Sequence, residues 1–96
     1  MAKVPSLESQ REEILRIAQK HGVGKVLVFG SSARGTATPT SDVDFLIEVS
    51  GATTPWFPGG LVTELESLLG RRVEVVEPQA LREDLRKSIL AEARPL

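Results

Sequence analysis

Between Leu7 and His21 the apolar residues Leu7, Ile14, Leu15 and Ala18, with Ile17 beside them, recur at the spacing of one helix face. Ser6 is placed to cap this first helix, with Glu8 in its opening turn. Lys20 and His21 suit the negative end of the helix dipole, and Gly22 suits the left-handed position beyond it. His21, the only histidine, is therefore read as a helix-end residue and not as a ligand. Lys25-Val26-Leu27-Val28-Phe29 changes the pattern to a short β-branched run, a buried strand. Gly30-Ser31-Ser32 then turns the chain into a short helix through Ala33 and Arg34, and Gly35 to Ser41, broken by Pro39, reads as a loop.

From Asp42 to Val49 the period becomes two. Val43, Phe45, Ile47 and Val49 share one face, and Asp42, Asp44, Leu46 and Glu48 share the other. Gly51 to Gly60 is rich in turn residues and holds Trp56 and Phe57 between two prolines, where they either form a partner surface or fold back onto the core. Leu61, Leu65, Leu68 and Leu69 mark another helix, closed by Gly70. Arg72 to Glu77 is a third strand with Val73 and Val75 inward and Glu74 and Val76 on the opposite side. Pro78 opens a last helix through about Ala93, with Leu81, Leu85 and Ile89 on one face. The expected class is α/β (α+β): a small three-stranded mixed sheet with about four helices, in the order α-β-α-β-α-β-α. Helices cover one face and leave the other free.

The 96 residues are too few for two cores, so residues 1–96 are expected to form a single domain. No apolar run approaches the roughly twenty residues that span a bilayer. The start, Met1-Ala2-Lys3-Val4-Pro5, lacks a secretory apolar region, and the lack of cysteine removes disulfides and thiolate sites, so a cytoplasmic location is expected. A net charge of -1 gives no broad attraction to nucleic acid, and no direct nucleic-acid partner is expected. A nucleotide is compatible, since metal ions and one or two arginines can meet its charge locally.

Strand parity supplies the candidate chemistry. Asp42 and Asp44 project side by side, and Glu74 joins them from the neighbouring strand. Like charges so placed repel unless something positive lies between them, and three carboxylates suit a hard cation such as Mg²⁺. Gly30 and Ser31 form a turn able to hold phosphates, with Arg34 one helical turn away. Each part has a plain structural alternative: an ordinary strand-to-helix turn, a solvated strand start, an exposed arginine.

Together these residues resemble a known family. Gly30-Ser31, then Asp42-x-Asp44, then a carboxylate on the next strand, is similar to the DNA polymerase beta-like nucleotidyltransferase superfamily. The local motifs G-S-x-A-R-G and S-D-V-D resemble more narrowly the minimal nucleotidyltransferases that accompany HEPN-domain toxins. The resemblance implies the nucleotidyltransferase fold, ATP as substrate, Mg²⁺ as cofactor, and transfer of AMP with release of pyrophosphate. It assigns Gly30 and Ser31 to the nucleotide phosphates and Asp42 and Asp44 to metal ligation. Glu74 falls where the family usually has a third aspartate that helps activate the acceptor hydroxyl, and its extra methylene adds roughly 1.5 Å of reach. The implied acceptor is a tyrosine of a HEPN ribonuclease toxin, which makes the chain an antitoxin that could assemble with its partner. Two alternatives remain: a binding module that neutralises by complex formation alone, and a small-molecule adenylyltransferase.

Overall fold

A four-stranded sheet in the order β3-β2-β1-β4 organises the chain in the computed structural model, which describes residues 7–35, 38 and 41–96. The elements are α1 (Arg11–Lys20), β1 (Val23–Phe29), α2 (Ser31–Arg34), β2 (Val43–Val49), α3 (Gly59–Leu69), β3 (Val73–Val76), α4 (Glu83–Glu92) and β4 (Arg94–Pro95). A single 3-10 turn, Pro78–Ala80, precedes α4. The expected cap at Ser6 lies outside the described residues.

β1 and β2 run antiparallel with Phe29 opposite Asp44 and Leu27 opposite Leu46, whereas β2 and β3 run parallel with Asp44 opposite Glu74. A parallel pair needs a crossover, and α3 supplies it. Its Leu61, Leu65 and Leu69 are buried with Ile14 and Ala18 of α1 against Val26, Val28, Val43, Phe45, Ile47 and Val73. Each leucine, isoleucine, valine or phenylalanine side chain taken fully out of water here contributes about 1.5–3 kcal/mol. The alternation in β2 thus buries one face under α1 and α3.

Five details differ from the sequence reading. α1 begins at Arg11, because Leu7 to Gln10 form turns in which Gln10 and Arg11 donate to Leu7 and Glu8 three residues back. The last helix is divided: Leu81 and Arg82 are extended, so α4 starts only at Glu83. A fourth strand follows it, with Pro95 opposite Leu27 and Arg94 opposite Val28, and Arg11 Nε donates to the Leu96 carbonyl at 3.1 Å. The second sheet face is not free along its length. Leu46 is only 2% exposed, and Leu27, Leu46, Pro78 and Leu90 line an apolar groove rimmed by Lys25 and Glu48. Val49, expected inward, is 38% exposed where the strand leaves the core.

His21 is the C-cap residue of α1 and is buried. Its Nδ1 lies 2.5 Å from Thr54 Oγ1 and its Nε2 lies 3.0 Å from Glu64 Oε1, so its role is structural, tying the 51–60 segment to α1 and α3. The two aromatics of this segment face different surroundings. Phe57 packs against the core while Trp56, held at φ 65°, is 90% exposed.

Candidate active site

β1 ends at Phe29, and Gly30 turns the chain with φ 70° and ψ -149°, a region essentially reserved for glycine. The Gly30 carbonyl accepts from the N–H groups of Ala33 and Arg34, both at 3.1 Å, which closes the one-turn helix α2. Ser31 opens that helix, and Gly35, left-handed at φ 75°, ends it. A side chain at Gly30 would collide with Asp44 Oδ2. The missing Cβ therefore lets the Asp44 carboxylate lie directly against the turn. This contact joins the two halves of the sequence motif.

Asp44 is half-buried on β2, and Glu74 is its register partner on β3. Side chains directly opposite on neighbouring strands come within reach of each other. Asp42 lies just ahead of β2, where the Val43 N–H donates to the Arg72 carbonyl at 2.8 Å. Ser41 and Thr38, ahead of it, are held by Arg71, whose Nε donates to the Ser41 carbonyl at 2.9 Å and whose Nη2 donates to the Thr38 carbonyl at 3.2 Å. Ser41 in turn donates its N–H to the Thr38 carbonyl at 3.1 Å, and its Oγ accepts from the Thr38 N–H at 2.8 Å.

Burial is the largest cause pushing the Asp44 carboxyl above its ordinary value; the negative charges of Glu74 and then Asp42 push the same way, and a hydrogen bond with Glu74 adds to them. Arg34 pulls in the other direction. The three acids are thus electrostatic neighbours, as the strand parity requires. Among the described residues no three His, Cys, Asp or Glu side chains form a preformed metal cage. The arrangement fits instead a divalent cation that takes one or two carboxylates and completes its shell with substrate oxygens. Charge repulsion at Asp44 is what such a cation would relieve.

Arg34 does not stand free beside the turn. Its Nη1 donates to Oε1 of Glu92 at the end of α4, forming an ion pair. Two residues around the site escaped the sequence reading, Arg71 and Glu92. The Arg71-Arg72 pair could have been noticed as positive charge arriving at the strand that brings Glu74. Glu92 had no local signal, since 58 residues separate it from Arg34.

The chain is 33% identical over 92 residues to the protein adenylyltransferase MntA of Thermococcus cleftensis, covering 96% of this chain and 91% of that protein. It also superposes on a solved structure described as a minimal nucleotidyltransferase with TM-score 0.83 and 39% identity, covering 99% and 97% of the two chains. A toxin–antitoxin crystal structure with AMP-PNP shares the fold at TM-score 0.73 and 19% identity, over 88% of this chain and 69% of that one. The profile of the nucleotidyltransferase domain matches residues 9–96, and the chain belongs to the nucleotidyltransferase domain family.

Proposed function

We propose that this protein transfers AMP from ATP to a hydroxyl of a partner protein, a tyrosine of a HEPN ribonuclease toxin, and acts as the antitoxin. The observation that carries the reading is the Asp44–Glu74 register pair with Gly30 closed against Asp44. It brings a phosphate-type turn and the acids of two strands to one end of the sheet. The identity to a protein adenylyltransferase and the fold shared with a toxin–antitoxin structure support the chemistry and the partner.

In this reading Gly30 and Ser31 lie along the phosphates of ATP, and Arg34 meets their negative charge. The family works with a divalent metal; our assignment is Mg²⁺, which Asp42 and Asp44 would hold with Glu74 beside them, and which would neutralise phosphate charge. The acceptor oxygen attacks the α-phosphorus, the bond from that phosphorus to the pyrophosphate oxygen breaks, and the hydroxyl proton passes to the Glu74 carboxylate. A single domain over residues 1–96 in the cytoplasm suits such a role. Among the described residues no helix is long and apolar enough to cross a membrane.

The test is incubation of the purified protein with its HEPN partner, ATP labelled at the α-phosphate, and Mg²⁺. Label should enter the partner. If none does, and Asp44→Asn neutralises the toxin as well as the natural protein, the enzymatic reading fails. Trp56, 90% exposed at a fixed backbone position, favours a second reading in which binding alone neutralises the partner. Under it, Trp56→Ala abolishes neutralisation while nucleotide is bound but not turned over.

A further inference from the structure

We propose that Glu92 is a positioning residue, presenting Arg34 to the phosphates of a nucleoside triphosphate. The inference rests on the reading of Arg34 as a nucleotide-binding side chain. Arginine carries five N–H donors in a fixed fork, and Glu92 engages Nη1. The other edge of the guanidinium remains for phosphate oxygens, whose geometry it matches with two parallel hydrogen bonds. An arginine loses much side-chain freedom when it binds, and an acceptor that already fixes its orientation removes part of that cost in advance.

The placement of Glu92 suits this role. It is the less exposed member of the pair, with its side chain 26% exposed against 57% for Arg34. It is also not on a free end. The chain beyond it is hydrogen-bonded to the sheet edge, Arg94 opposite Val28 and Pro95 opposite Leu27, and Arg11 holds the Leu96 carbonyl. β1 is the strand that runs into Gly30, so the anchor of Glu92 and the turn beneath Arg34 share one rigid element. Exposed ion pairs add little to stability, so removing Glu92 is expected to act on the orientation of Arg34 with little loss of folding. Four acids and one motif arginine crowd this end of the sheet, and an unheld guanidinium could fold onto Asp44, whose charge it already senses.

The experiment compares Glu92→Ala, Glu92→Gln, Arg34→Ala and the double variant Arg34→Ala/Glu92→Ala. ATP affinity is measured by calorimetry, and KM and kcat by AMP transfer. Glu92→Ala should weaken ATP binding and raise KM about two- to tenfold, with a smaller change in kcat. Glu92→Gln keeps an acceptor oxygen and should stay closer to the natural protein. Adding Glu92→Ala to Arg34→Ala should change affinity no further. Tighter or unchanged ATP binding by Glu92→Ala, or effects that simply add, would overturn the role of Glu92. If Arg34→Ala alone leaves ATP affinity unchanged, the nucleotide-binding reading of Arg34 fails first. A urea titration of each variant identifies loss of folding, and Glu92→Gln carries the comparison if Glu92→Ala does not fold.

Discussion

Gly30→Ala tests the contact on which the site is built. At φ 70° and ψ -149° the position lies where residues other than glycine cost about 1–3 kcal/mol. The added methyl would also occupy the space of Asp44 Oδ2. Restoring an ordinary van der Waals separation requires the carboxylate or the turn to give by roughly 1 Å. A displacement of that size at a reacting centre is worth about a hundredfold in rate. Gly35→Ala is the control: it too has positive φ, 75°, yet among the described residues nothing lies within 4 Å of its Cβ position. It should cost about 1–2 kcal/mol of stability through backbone strain alone. Urea midpoints and kcat/KM for transfer of labelled AMP are measured for both. The expectation is comparable loss of stability but a much larger loss of transfer for Gly30→Ala. Equal loss of transfer in the two variants, or full transfer by Gly30→Ala, would refute the link between the glycine and the placement of Asp44.

Asp44→Asn should abolish transfer yet raise thermal stability at neutral pH without divalent cations. Because the folded carboxyl is raised above its unfolded value, its ionised form penalises folding above that raised pKa, and the penalty disappears as the pH falls below the unfolded value near 3.8. The gain in Tm should shrink accordingly, and a lower Tm for Asp44→Asn at pH 7 contradicts the electrostatic account. Glu64 behaves in the opposite sense: its hydrogen bonds to Lys20 and His21 hold its carboxyl below the ordinary 4.5, so it supports the fold above that value and loses the effect as acid protonates it. Glu64→Gln should therefore be less stable than the natural protein at pH 7 and indistinguishable from it at low pH, as followed by circular dichroism. Leu65→Ala, at a side chain 1% exposed, should lower unfolding free energy by about 2–5 kcal/mol in urea, and a change well below 1 kcal/mol would remove α3 from the core.

Elements whose signals are local follow from the amino-acid pattern alone. The period of two in β2 and the helical spacing of Leu61, Leu65 and Leu69 both follow from which side chains must leave water, and both were legible. The same parity placed Asp42 and Asp44 away from the core and brought Glu74 beside them. Tertiary structure decided what depends on distant partners. β4 is two residues long and contains a proline, so nothing in its own pattern marks a strand; it exists because the edge of β1 has unpaired backbone groups to offer. Leu46 belongs to the acidic face by parity but is buried there, where Pro78, just after β3, and Leu90 of α4 line the groove beside it. The divided last helix, the fate of Trp56 and Phe57, and the capture of Arg34 by Glu92 are decisions of the same kind. Periodicity reports only whether a residue faces water or core, while an ion pair or an edge strand depends on what the rest of the chain brings to that place.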